Sequence, residues 1–369
     1  MKFTLQYLLI ALCFFSLSCS TSNQTKNDEG NLPASALQPV GRYQFNQEQS
    51  LELISSAVHF GFSFTGPACK IFASIPNPDG HNYLQYELDG VYQKRIKICG
   101  NSTEPISINA PTGEGEKHTI KIYKATEAHT GPIFIQKITG QNVKPLPKSK
   151  APVIEFIGNS ITCGAAADPS EVPCGTGQYH DQHNAYMAYG PRVARALKTE
   201  FVLSSVSGIG VYRNWNSNGP TMPQVYEKVD FQENTPQQWN FASFKPQVVS
   251  IALGTNDFSR GDGKKERLPF DSVAYVNNYI KFVQQVKSKY PQTQIALLSS
   301  PMINGKNRET LQNCLTAVKG KIDALYAGEK PIALYFFRPM QAKGCSGHPN
   351  VEDHAVLAEE LVPFFQKLL

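Results

Sequence analysis

The chain of 369 residues lacks a run of apolar residues long enough to span a bilayer as a mature helix. It has little excess charge: +5, from 35 Lys and Arg against 30 Asp and Glu, spread along the sequence. A surface that binds nucleic acid through phosphate would need a basic stripe, so no nucleic-acid partner is expected. The one short basic block, Lys144-Pro145-Leu146-Pro147-Lys148-Ser149-Lys150, carries two prolines and reads as a linker. No internal repeat is visible, and no cysteine and histidine spacing matches a compact zinc finger.

The N-terminus does carry an export pattern. Lys2 precedes an apolar stretch from Leu8 to Phe15, too short for a transmembrane helix and suited to a signal peptide. Ser16-Leu17-Ser18-Cys19 resembles a bacterial lipoprotein cleavage box, with Ser16 where leucine is usual. Cys19 would then be the lipidated first residue of a protein on the bacterial outer membrane or cell surface. The alternative is an ordinary cleaved signal and a free periplasmic or secreted chain. The expected division is a signal at 1–18, a flexible tether at 19–40, and two folded parts at 41–147 and 148–369.

Eight cysteines are present, and setting aside Cys13 with the signal and Cys19 with a lipid leaves six. An even number in an exported chain suggests disulfides. The most economical pairing follows the domain plan: Cys69 with Cys99, Cys163 with Cys174, and Cys314 with Cys345. The rival reading is a metal held by Cys163, Cys174, His180 and His183. An oxidising compartment disfavours it, so no metal is expected.

Residues 41–147 alternate apolar and polar over short runs, at 58–64, 70–75, 83–88 and 118–124. Turn residues such as Asn77-Pro78-Asp79-Gly80 and Asp89-Gly90 punctuate them, so an all-β sandwich of jelly-roll type is expected. Beyond the linker the pattern changes. Continuous apolar strands at 153–157, 201–206, 248–253, 294–300 and 332–337 alternate with helical stretches at 185–199, 271–290, 309–326 and 351–369. That alternation predicts a parallel sheet covered by helices on both faces, a three-layer arrangement of flavodoxin type. Such folds collect their chemistry at the carboxyl ends of the strands.

Two polar side chains, Ser160 and Asn256, fall at those ends. Gly158-Asn159-Ser160 follows the first strand and offers a serine hydroxyl, a weak nucleophile until a base takes its proton. Taken alone, Ser160 reads as a helix N-cap. Gly254-Thr255-Asn256-Asp257 follows the third strand, and Asn256 can donate a side-chain amide to a developing oxyanion. Gly208 follows the second strand and can offer a main-chain N–H; Ser160 N–H would be a further donor. His348, stiffened by Pro349 and followed by the last helix, is the candidate base. Taken singly, Gly208 and Asn256 are ordinary turn residues; their order along the chain is what is specific.

That order resembles the SGNH, or GDSL-type, hydrolase superfamily, and more closely carbohydrate esterase family two. The likeness rests on the segments 158–164, 207–214, 221–223, 253–258 and 344–349, and spans the chain from about residue 41 to its end. It implies a jelly-roll domain followed by an SGNH hydrolase domain. It further implies a serine esterase that removes acetyl groups from plant cell-wall polysaccharides such as xylan and glucomannan, with no cofactor. Ser160 would be the nucleophile, His348 the base, and Gly208 and Asn256 the oxyanion donors. One departure stands out: the aspartate usual three residues before the histidine is Cys345. Some family members work as Ser–His dyads with a main-chain carbonyl orienting the ring, and that arrangement is expected here; Asp257 and Asp353 are the substitutes to check. Tyr212 and Trp215 are expected to face sugar. Other readings keep the machinery for other small acyl esters, although no extended lid suggests a lipase, or make the chain a non-catalytic glycan binder.

Overall fold

A computed structural model of the protein describes residues 29–111, 116–264 and 266–369. The expected signal peptide with Cys13, the expected lipidation site Cys19 and the tract up to residue 28 lie outside the described residues. No helix within them is long and apolar enough to cross a membrane.

Among the described residues the first half holds ten strands: β1 (Glu29–Pro33), β2 (Tyr43–Phe45), β3 (Leu51–Leu53), β4 (His59–Ser74), β5 (His81–Leu88), β6 (Val91–Tyr92), β7 (Ile96–Cys99), β8 (Ile106–Asn109), β9 (Lys117–Lys124) and β10 (Ile133–Pro145). Every pairing among them is antiparallel. In β4 the alternation puts Phe60, Phe62 and Phe64 on one face, each buried, with Ile120, Ile122 and Ile138 in the same core. The runs at 58–64 and 70–75 are one strand. Against β10 the register jumps from Cys69 to Thr65 in a single step, so Gly66-Pro67-Ala68 bulges while the strand continues.

The tether expectation is corrected in part. Residues 29–33 pair with Gln141 to Lys137 of β10, and Leu32 and Ala34 are buried in the β core. The composition of this stretch is polar, but an edge strand needs only one apolar face.

The second half places β11 (Val153–Gly158), β12 (Glu200–Ser205), β13 (Val248–Ala252), β14 (Gln294–Leu298) and β15 (Ala333–Tyr335) in one parallel sheet of order β12-β11-β13-β14-β15. This is the order of flavodoxin-type sheets. Around it lie α1 (Ser160–Cys163), α2 (Tyr189–Leu197), α3 (Met222–Val225), α4 (Thr255–Phe258), α5 (Ser272–Lys289), α6 (Gly305–Leu325) and α7 (Val351–Gln366). α2 and α7 bury one face of the sheet, and α5 and α6 the other. The architecture is thus the expected antiparallel domain followed by a five-stranded parallel sheet with helices.

The two halves share a polar buried seam. Arg42, fully buried, reaches from the β half to donate to the carbonyls of Tyr226 at 2.7 Å and Lys228 at 2.6 Å, and to Ser204 Oγ at 3.2 Å. Its guanidinium also lies 3.8 Å from the buried Glu155 and over the Phe231 ring. Partnering of this density is what a buried cation requires.

Candidate active site

β11 is an inner strand of the sheet, and its last residue must be small. A Cβ on Gly158 would lie 2.0 Å from Thr162 Oγ1. Asn159 then caps α1, its Oδ1 accepting Ile161 N–H at 3.1 Å. Asn159 therefore takes the capping role open to Ser160, and Ser160 becomes the first helical residue with its hydroxyl free for other work.

That hydroxyl meets His348: Ser160 Oγ and His348 Nε2 are 2.9 Å apart. His348 sits between β15 and α7, after the short turn Cys345–Gly347 in which Ser346 is left-handed (φ 53°). The turn aims the Ser346 carbonyl at His348 Nδ1, 3.2 Å away. With Nδ1–H donating to that carbonyl, Nε2 keeps the lone pair that accepts the serine proton. Asn350 Oδ1 and Asp353 close a capping box at the start of α7 and anchor the loop. Burial holds the His348 imidazole below its ordinary value, opposed by its main-chain partners.

Neither candidate aspartate faces the ring. Asp353 accepts the N–H groups of Asn350 and Lys343. Asp257 is buried against the N–H groups of Val211, Tyr212 and Arg213 at 2.9–3.2 Å, and burial pushes its carboxyl up to about 6. It braces the loop carrying Gly208 and Trp215.

The position that usually holds the aspartate is used differently. Cys345 is bonded to Cys174, with an S–S distance of 2.02 Å and Cα atoms 5.2 Å apart. All three expected pairings are thereby corrected: Cys69, Cys99, Cys163 and Cys314 are free thiols. Cys69 lies in the β core and Cys99 is exposed at the end of β7; Cys163 points to Ser205 Oγ at 3.2 Å; Cys314 packs in the core under α6. Closeness in sequence was a poor guide, since the true partners are 171 residues apart. The same bond removes Cys174 from the metal reading. Ligand-capable atoms of His81, His180 and Asp181 do come within 4.8 Å of one another. Asp181 already accepts from Gln178 N–H, Tyr83 OH and the His81 ring, so these groups satisfy each other.

Asn256 is the second residue of the α4 turn beyond β13. One amide hydrogen is spent on Ile209 O at 2.7 Å, which fixes the side chain and leaves the other. Gly208 holds φ +76°, a conformation costly for other residues, and no acceptor among the described residues takes its N–H or that of Ser160. Ser160, Asn256, His348 and the exposed Trp215 line one open cavity of about 350 Å³, together with Met302, Asn304 and Asn307. Gly208 opens on an adjoining cavity that shares Trp215. A larger cavity of about 830 Å³ lies at the opposite end of the sheet, between Lys245, Tyr290 and Leu369, and contains none of these groups.

Trp215 thus lines the cavity, and Tyr212 does not. Tyr212 packs against Phe270 and Tyr275, and its hydroxyl accepts Asp271 N–H at 3.2 Å, so its role is structural. Arg267 had no signal in the sequence. Its guanidinium donates to the carbonyls of Asn214, Trp215 and Asn256 at 2.6–2.8 Å, tying the Trp215 loop to the Asn256 loop.

Comparison with known proteins places both halves. Residues 39–148 match the family described as carbohydrate esterase 2 N-terminal, and residues 156–342 match the GDSL-like lipase/acylhydrolase family. An acetylxylan esterase / glucomannan deacetylase of Cellvibrio japonicus is 30% identical over 329 residues, 87% of each chain. Among solved structures, a family two carbohydrate esterase from Cellvibrio japonicus superposes with a TM-score of 0.78 at 23% identity, over 92% of this chain and 98% of that one. One from Clostridium thermocellum, solved in complex with cellohexaose, gives 0.74 at 25% identity over the same shares. The chain belongs to the family two carbohydrate esterases.

Proposed function

We propose that the protein is an exported serine esterase that removes O-acetyl groups from plant cell-wall polysaccharides of the xylan and glucomannan type. The observation that carries this reading is the 2.9 Å contact between Ser160 Oγ and His348 Nε2 at the mouth of an open cavity. His348 takes the Ser160 proton as the oxygen attacks the acetyl carbonyl. The oxyanion is held by Ser160 N–H, Gly208 N–H and the free Asn256 amide hydrogen. The sugar hydroxyl leaves with the proton from His348, and water then repeats the sequence on the acetyl-serine to release acetate.

The substrate class is supported by the relatives, named for acetylxylan and glucomannan, and by the exposed Trp215 at the cavity rim, an aromatic face suited to a sugar ring. Export is supported by the disulfide, a bond that persists in oxidising compartments, and by the N-terminal pattern that ends at Cys19. Metabolic labelling with a fatty acid, lost in Cys19→Ala, tests the lipid anchor; an unlabelled wild-type chain would leave a cleaved signal and a free protein. Acetate release from acetylated xylan, glucomannan and pectin tests the activity. Release from the first two, abolished in Ser160→Ala, is expected; release persisting in Ser160→Ala would contradict the mechanism.

A further inference from the structure

Glu127 is a carboxylate buried outside the reacting groups, and it comes from the other half of the molecule. It lies in the loop between β9 and β10, with 3% of its surface exposed. The loop is shaped from within the β half. Lys124, itself fully buried, donates to Glu127 O at 2.5 Å and Thr126 O at 3.2 Å. Thr126 Oγ1 donates to Asn82 on β5. This scaffold directs the Glu127 side chain across the seam.

There the carboxylate has three partners, one of them the buried Cys163 thiol, which donates to Oε2 at 3.6 Å. Oε2 accepts Ser207 N–H at 2.7 Å, and Ser207 directly precedes Gly208. Oε1 faces His183 Nε2 at 3.4 Å. His183 Nδ1 accepts Ala166 N–H at 3.4 Å, so the neutral ring carries its proton on Nε2 and directs it to Glu127. Ala166 O in turn accepts Cys345 N–H at 2.9 Å, at the start of the turn that carries His348. One buried carboxylate thereby reaches the Ser207-Gly208 turn by one hydrogen bond and the His348 loop by three. His183 and Ser207 hold Glu127 down to about 2, against its burial, so it remains charged.

We propose that Glu127 is a positioning residue for the esterase reaction: the β half supplies it to set Ser207-Gly208, and through His183 the Cys345–His348 turn, in the geometry the transition state needs. The proposal rests on the esterase reading given above. Its consequence is that the hydrolase half alone lacks a part of its own oxyanion site. An ångström of misplacement at such a donor costs up to about a hundredfold in turnover, so the effect falls on kcat and not on substrate affinity.

The test uses the full chain. Active sites are titrated with an organophosphorus ester, and kcat and KM for acetyl ester hydrolysis are expressed per titrated site, with Tm measured alongside. Glu127→Ala is expected to lose about tenfold to a hundredfold in kcat with KM within about twofold. Glu127→Gln, whose amide oxygen still accepts Ser207 N–H, is expected to recover most of that loss. Glu127→Asp keeps the charge but withdraws it from Ser207, and should lose kcat as the alanine variant does. It serves as the decisive variant if the alanine chain does not fold. A merely structural role would lower Tm and the number of titratable sites but leave kcat per site unchanged, and that result overturns the proposal. A wild-type chain neither labelled nor active overturns the esterase reading itself, and this role with it.

Discussion

The Ser346 carbonyl stands 3.2 Å from His348 Nδ1, in the place where a serine hydrolase of the triad type presents a carboxylate. A carbonyl fixes the ring and its tautomer, but it carries no full charge to stabilise the imidazolium. Asp353, the nearest aspartate in sequence, is committed to the amino end of α7. Asp353→Asn is therefore expected to keep turnover within about tenfold of wild type, against the loss of about 10⁴ that follows removal of a triad aspartate. Steady-state kcat on an acetyl ester measures this directly, and a loss near 10⁴ would mean that Asp353 acts on His348 in the working enzyme.

Asn256 is oriented by its bond to Ile209 O and has one amide hydrogen left to give. If that hydrogen meets the oxyanion, Asn256→Ala should lose about 10²–10³ in kcat with little change in KM. A rise in KM at constant kcat would instead make Asn256 a ground-state binding group.

The Cys174–Cys345 bond secures the start of the His348 turn. Cys174→Ser should lower stability by about 2–4 kcal/mol in denaturant unfolding and should also slow turnover, since the released turn no longer aims the Ser346 carbonyl. Reduction of the wild-type chain should have the same two effects. Unchanged kcat in the reduced protein would show that Pro349 and the α7 cap are sufficient to hold the loop.

The buried base sets the acid side of the rate profile. With His348 held below 6.5 by burial, it stays neutral as the pH falls through 6.5, so the acid limb of kcat/KM should have its midpoint below that value. A midpoint above 6.5 would require a carboxylate close to the ring.

His354, inside α7, is fully buried, with Nδ1 accepting Tyr189 N–H at 3.3 Å. Burial pushes its value down to about 3. The unfolded chain takes up a proton near 6.5 that the folded chain refuses until about 3, so stability is lost as the pH falls through that window. The contribution is about 1.4 kcal/mol per pH unit. His354→Asn should flatten the stability profile between about pH 6 and 4.5, where most carboxylates are not yet titrating. An unaltered slope would show that His354 charges while folded.

Much of this molecule is legible in its sequence, for identifiable reasons. The strands around 153–157 and 248–253 are apolar runs, interrupted only by Glu155 and Ser250, because both faces of a parallel sheet are covered, and the residues just past them are where such sheets expose function. Ser160 and Asn256 stand out on that logic, and His348 as a loop histidine stiffened by Pro349 before the last helix. Glu29–Pro33 could not, because an edge strand with one buried face leaves little apolar signal. The cysteine pairing could not, because Cys174 and Cys345 meet only through the fold. Glu127 lies in the β half, far in sequence from every group it braces. Tyr212 looked like a sugar platform for the same reason as Trp215, and only packing against Phe270 separates them.

Reaction with an organophosphorus ester, followed by mass spectrometry of the digested chain, tests the central claim most directly. One adduct per chain on Ser160, formed at a rate that drops to background in His348→Ala, is the predicted result. Acetate release from a chain that carries no adduct on Ser160, or equal labelling with and without the imidazole, would contradict it.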